Sequence, residues 1–377
     1  MAVEIRNAAE YPHKMPTTRS LARNIERWED GTVVRISERY RILYCHVFGM
    51  SMDDLFGDGP DRAAPPPPSE GDAEAIGMML AALMTSDRRF GGARIRRQAT
   101  DYLSDVIEPR LHGPAPDEVR RRLFSVATEF VMRVAAMHLD ADQASMAVSL
   151  LGRASSMAAE SQDITLTAWT LSRRGEHEMH HAALAVRPAQ KHAFIQQALA
   201  YTEGAAGVAR AAPPIGRAFL TTKHALAWSM AGDRAQTQRV LGRVWDAYEA
   251  AGTAEEPHWM GPYGLGHLRH EEGRCYVNLG MGRDAVRAAE ASLAERTEVR
   301  PRAFSLGILA IGHAQSLDVE QACATAHEFL QLASQVSSRR ICIRTREVLD
   351  ALAPYQNEPM VEDVQEAARP VLEVCGR

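Results

Sequence analysis

"LAWSMAGDRAQTQRVL", residues 226 to 241, is the stretch whose reading decides the fold. Apolar residues at helical spacing run up to a Gly-Asp pair, and a second helical run follows with alanine where a neighbouring helix packs closely. The same order recurs in "CYVNLGMGRDAVRAAEASL" (275 to 293) and "IGHAQSLDVEQACATAHEFL" (311 to 330). Two earlier stretches fit more loosely, "AAMHLDADQASMAVSLLGRA" (135 to 154) and "AALAVRPAQKHAFIQQALA" (182 to 200). The turns fall near 140, 187, 232, 280 and 317, a drifting period of 37 to 48 residues. Such hairpins stack side by side, because none can bury its apolar face alone.

Working outward, no stretch alternates apolar and polar residues as a half-buried strand would, so the pattern predicts an all-α protein. Residues 58 to 72, "DGPDRAAPPPPSEGD", hold four consecutive prolines and almost nothing to bury. They predict a semi-rigid spacer. A small helical unit at 1 to 57 precedes the spacer, and the repeat domain is expected over 73 to 377.

Bulk properties exclude several classes. The net charge of -5 argues against a chain that coats nucleic acid along its whole length. The longest apolar run, "AIGMMLAALM" at 75 to 84, is too short to span a bilayer. The N-terminal "MAVEIRNAAEYPHK" has no signal-peptide core, so a cytoplasmic location is expected. Cys45, Cys275, Cys323, Cys342 and Cys375 form no CxxC pair and read as reduced core residues. Lysine occurs only at Lys14, Lys191 and Lys223, which leaves 40 of the 43 basic residues as arginine. With the abundant alanine, this suggests a high-GC bacterial genome. No phosphate loop or nucleophile–base pair appears, so neither an enzyme nor a cofactor is expected.

The N-terminal unit carries chemistry of another kind. In "RSLARNIERWEDG" (19 to 31), Leu21, Ile25 and Trp28 lie on one helical face, with Thr17 or Thr18 as N-cap and Gly31 as stop. Arg19, Ser20, Arg23, Asn24 and Arg27 lie opposite. A second helix, "SERYRILYCHVFG", opens at Ser37 and turns Tyr40, Leu43, Tyr44 and Val47 inward. A third turn begins with a capping box from Ser51 to Asp54 and continues to Leu55 and Phe56. Residues 1 to 50 hold eight basic and six acidic side chains, a modest net of +2.

The order Thr18 through Trp28-Glu29-x-Gly31, then "SERYR" from Ser37, then "VFGMS" from Val47 resembles the later helices of a Cro/C1-type (XRE) helix-turn-helix domain. With the proline spacer and hairpins behind it, the chain resembles XRE-type transcriptional regulators with tetratricopeptide (TPR)-like repeats from high-GC bacteria. The resemblance implies that "TTRSLARNIERW" is the recognition helix. Arg19, Ser20 and Arg23 would then reach base edges, while Asn24, Arg27 and Arg35 would hold phosphates. Such domains have two helices ahead of the recognition helix, and only 16 residues precede Thr17, room for "AVEIRNAAEY" alone. Either the start codon lies further upstream, or the head has lost its first helix.

Two further stretches invite function. "HEMHH" at 177 to 181 satisfies H-E-x-x-H through His177, Glu178 and His181. The flanking "RRGE" and the lack of a preceding strand argue against catalytic zinc, and a solvated or partner-facing patch is the expectation. "EEPHWMGPYGLGHLRHEEG" (255 to 273) is rich in Gly, Pro, His and aromatics and could line a concave surface. Trp259, Tyr263, His267 and His270 are its candidate ligand contacts, with core packing the commoner use of such aromatics. The sequence therefore predicts a regulator of double-stranded DNA, a homodimer whose repeats dimerise or sense a peptide, small molecule or protein. The alternative is a TPR-like interaction scaffold with a degenerate head.

Overall fold

Among the described residues every regular element is helical, as the periodicity predicts. The computed structural model describes residues 16–29, 36–48, 67–90, 95–252, 258–260, 263–336 and 338–375. It divides into two units, Met1–Pro66 and Pro67–Arg377.

The first unit holds α1 (Thr18–Glu29) and α2 (Glu38–Phe48). Thr17 caps α1, its hydroxyl accepting from the Ser20 amide at 3.3 Å. Leu21, Ile25, Leu43 and Tyr44 are buried between the two helices, and Trp28, Tyr40 and Val47 close over them. The Trp28 and Tyr40 rings lie 4.8 Å apart. Gly31, Gly49 and the expected third turn from Ser51 lie outside the described residues.

The second unit opens with α3 (Glu70–Phe90), α4 (Arg96–Tyr102), a π-helical turn (Leu103–Ile107) and α5 (Glu108–Leu111). Asp72 lies inside α3 and pairs with Arg110, so the helical unit begins ahead of the expected boundary at residue 73. Five helical hairpins follow: α6 (Asp117–Asp140) with α7 (Ala144–Ser161), α8 (Ile164–Leu184) with α9 (Pro188–Val208), α10 (Pro214–Met230) with α11 (Arg234–Glu249), α12 (Leu265–Asn278) with α13 (Gly282–Glu295), and α14 (Val299–Gln315) with α15 (Val319–Ala333). Their turns fall where the sequence places them. A final pair, α16 (Arg339–Leu352) and α17 (Pro359–Cys375), ends the unit.

Four of the five hairpin turns use one backbone device. Asp142, Gly232, Gly280 and Leu317 all take positive φ, between 61° and 78°. In two of them the next residue but none further, Asp233 or Asp318, accepts an amide from the start of the second helix. Glycine takes the left-handed region without cost, whereas leucine does not.

The hairpins do not form an open array whose members touch only their neighbours. Helix α14 packs on α3, and α16 packs on α6, so the last elements return to the first. Charged groups seal this closure. Asp140, 1% exposed, accepts from Arg300 Nη2 at 2.6 Å, Arg340 Nε at 2.8 Å and Ser338 Oγ at 3.0 Å. Arg300 also reaches Asp87 Oδ1 at 3.0 Å. Burial alone would raise the Asp140 carboxyl, but Arg340 and Arg300 outweigh it and hold it well below the usual carboxylate range.

Cysteine chemistry departs from expectation. Cys45, Cys275 and Cys323 carry free thiols, but Cys342 is disulfide-bonded, so the cysteines are not all reduced. Spacing along the chain does not reveal which helices meet. Among the described residues no helix is long and apolar enough to cross a membrane.

Candidate functional site

The curl of the second unit encloses a cavity of about 720 Å³, inside the roughly 300–1,000 Å³ span of small-molecule sites. All four candidates from the 255–273 stretch lie on its wall: Trp259, Tyr263, His267 and His270. The first three-residue turn of that stretch, His258–Met260, brings Trp259 inward, and α12 carries His267 and His270.

One part of the wall is aromatic. Trp259 stacks on Trp169 of α8 with ring centroids 4.9 Å apart and planes 14° from parallel. Phe219 of α10 meets Tyr263 edge-on at 5.1 Å and Trp259 at 5.8 Å. Core packing is the main role of the indoles: Trp169 and Trp259 are each 1% exposed, and the Trp259 Nε1 donates to Thr165 Oγ1 at 3.0 Å. The Trp169 Nε1 is buried and has no hydrogen-bond partner among the described residues.

Beside aliphatic residues such as Leu139, Leu226 and Ile311, the wall carries many charged groups, and none of these was foreseen. Eight cationic side chains (Arg133, Arg173, Lys223, Arg274, Arg296, Arg300, Arg340 and Arg344) face five carboxylates (Asp87, Glu176, Glu271, Glu347 and Asp350). Most of these charges are matched. Lys223 bridges Glu176 at 2.6 Å and Glu271 at 2.8 Å, with Arg173 and Arg274 flanking the two acids. Burial would raise Glu176, but Lys223 and Arg173 bring it down to about 2. Glu271 is likewise held low against burial by Arg274 and Lys223.

Arg296 is the exception. It is 8% exposed, and no carboxylate among the described residues lies within ion-pair distance of it. Its Nη1 donates to the Pro301 carbonyl at 3.0 Å and to Ser305 Oγ at 3.2 Å, while its Nε has no partner among the described residues. Burial lowers its guanidinium to about 10, against the pull of Glu271. Arg344 shares the feature in part: it pairs with Glu347 at 2.8 Å, but its buried Nε is also unpartnered. Two glycines permit these positions. A Cβ on Gly307 would sit 2.5 Å from Arg344 Cγ, and one on Gly266 would sit 3.3 Å from Arg296 Cγ. His270 on the same wall is kept neutral first by burial and then by Arg296, Arg274 and Arg344.

The H-E-x-x-H stretch is not a solvated patch. His177 is 4% exposed on α8, and its Nε2 meets His181 Nε2 at 2.8 Å. The helix turns this face against its hairpin partner α9, where His181 stacks on Phe194. Burial, then His181 and His180, pull His177 down to about 4. Among the described residues no group of three metal-ligating side chains converges.

In the first unit Arg19, Ser20, Arg23 and Arg27 are exposed, opposite buried Leu21 and Ile25. Asn24 is half-buried, and Arg35 lies outside the described residues. One signal could have led to the cavity. Lys223, one of three lysines in the chain, interrupts the apolar run "AFLTTKHALAW", where a solvated face has no place. No family model and no curated protein matches this chain.

Proposed function

We propose that the chain is a DNA-binding transcriptional regulator, in which the arginine-faced helix α1 reads DNA and the hairpin unit senses a ligand in its cavity. The observation that carries the DNA half is the division of α1 into two faces. Leu21 and Ile25 anchor it to α2, while Arg19, Ser20, Arg23 and Arg27 stand exposed on the other side of a capped helix. Arginine pairs bidentately with guanine in the major groove, and a helix is the element that fits there. The sensing half is supported by the cavity, which is of ligand size and holds both an aromatic wall and unmatched positive charge. A single short head buries little DNA, so a dimer on two half-sites fits this reading, with the contact in the hairpin unit.

Selection of bound duplexes from random DNA by the full chain tests the head. On the selected site, Arg23→Ala should weaken binding by about 1–3 kcal/mol if Arg23 reads a base. Arg27→Ala should weaken all sequences alike and flatten the salt dependence by about one phosphate contact. Sedimentation of the chain on that duplex reads the stoichiometry. Equal binding by wild type and both variants would move the protein to the scaffold class.

A further inference from the structure

We propose that the cavity of the hairpin unit takes an organic carboxylate with a flat apolar body, its acid group on Arg296 and Arg344 and its body against the aromatic part of the wall, where half-buried Phe219 meets Trp259. The assignment deepens the sensing half of the proposed function and rests on it. Its chemistry is drawn from four features of the wall.

The first is charge. A cation taken out of water is costly unless paired, and Arg296 is buried with no carboxylate among the described residues at ion-pair distance. Its backbone and serine acceptors satisfy two donors without cancelling the charge. The second is directional donors. Among the described residues the buried Nε atoms of Arg296 and Arg344 are both without acceptors, and guanidinium forks match a carboxylate's two oxygens. The third is the aromatic part of the wall, where half-buried Phe219 lies edge-on to the buried Trp169–Trp259 stack and gives an apolar surface. The fourth is His270, buried on the same wall, whose Nδ1 shares Ser305 Oγ with Arg296 at 3.3 Å.

Positive charge on the lining exceeds negative even after Asp140 is counted behind it, so a cation is disfavoured. A neutral apolar compound would leave the arginine donors as they are. A free aromatic acid and the C-terminus of a short apolar peptide present the same chemistry, and the cavity volume of about 720 Å³ accommodates either.

The experiment uses the full chain and two matched pairs of probes: 2-naphthylacetate against 2-naphthylacetamide, and acetyl-phenylalanyl-leucine with a free or an amidated C-terminus. Tryptophan emission and titration calorimetry both report binding, since Trp169 and Trp259 form the wall. At least one acid should bind about tenfold or more tightly than its amide, the effect expected for charge-assisted hydrogen bonds. Which pair discriminates separates a small acid from a peptide terminus. Arg296→Gln should bring the acid to within about twofold of the amide. If Arg296→Gln lowers the melting temperature too far, Arg344→Gln should show the same loss, and the acid–amide comparison needs no variant at all.

Equal binding of acid and amide in both pairs, or no binding by either acid, overturns the assignment. So does an Arg296→Gln protein that melts normally and still prefers the acid. DNA is absent from these titrations. A chain that binds the acids but no DNA would keep the cavity assignment and retire the regulator, whereas a chain that binds DNA without discriminating acid from amide would do the reverse.

Discussion

Asp140→Asn should open the seal between the first hairpin and the last elements. The side chain is 1% exposed and joins α6 to Arg300 on α14 and to Arg340 and Ser338 at the start of α16. Breaking a buried ion pair from one side costs about 3–5 kcal/mol, because the partner charge is stranded. Two features put Asp140 at the lower end. Arg300 keeps Asp87 at 3.0 Å, and the Arg340 side chain is 41% exposed, so water takes up part of its charge. The expected loss is therefore about 3 kcal/mol, or roughly 5–9 °C in melting temperature for a unit of this size. Urea titration followed by circular dichroism measures it, and pH supplies an internal control. The Asp140 carboxyl is held well below its ordinary value of 3.8, so its stabilisation is complete above that value. It drains away as pH falls further, and the gap between wild type and Asn should narrow in step. A loss below about 1 kcal/mol, the figure for a solvated surface pair, would refute the idea that these charges hold the unit closed. A gap that stays constant into strong acid would refute it equally.

Two further outcomes test the hairpins themselves. Leu317 holds a φ of 64° with its side chain 79% exposed, so it bears left-handed strain and buries little in return. Leu317→Gly should stabilise the chain by about 0.5–1 kcal/mol, the relief of that strain less the added freedom of glycine when unfolded. An unchanged or lower urea midpoint would count against it. His177, lowered to about 4 by burial, stays neutral in the fold while the unfolded chain protonates near 6.5. Stability should thus fall as pH drops from about 6.5 towards 4, by about 1.4 kcal/mol per unit for this one group. His177→Leu should remove that share of the slope, and identical slopes would show that the ring is not buried neutral.

The hairpins were legible in the sequence because each is a local event. Gly232 before Asp233 and Gly280 before Met281 lie between helical runs, and the turn can be read within about twenty residues. The 255–273 stretch stood out for a related reason, since its Gly, Pro, His and aromatics break the surrounding composition, and its four candidates do meet at one wall. The charged wall was not legible. Asp87 and Arg300 lie 213 residues apart, and Asp140 and Arg340 lie 200 apart, so no window holds both partners. Arginine also supplies nearly all the chain's positive charge, so Arg296 and Arg344 look like any solvated helix face until the curl of the hairpins turns them inward. His177 misled in the opposite direction, for polar spacing suggested solvent where α9 provides cover.

Why the cavity uses arginine follows from how its charges are fixed. A long cation that must find its ligand loses rotamer freedom on binding, which subtracts from affinity. Arg296 has lost that freedom already, with Nη1 held by the Pro301 carbonyl and Ser305 and its stem laid against Gly266. Arg344 is held differently, by Glu347 at 2.8 Å and with its stem in the space that the absent side chain of Gly307 leaves. A lysine could not keep one nitrogen on the backbone and offer a second in a set direction, whereas a guanidinium can. Lys223 makes the contrast within the same wall: its single nitrogen is wholly engaged between Glu176 and Glu271, where a point charge suffices. The closure through Asp140 completes the arrangement, because Arg300 and Arg340 line the cavity as well. Their pairing with Asp140 leaves the charge of Arg296 and the Nε donors of Arg296 and Arg344 still to be met among the described residues, so these positions are set before any ligand arrives.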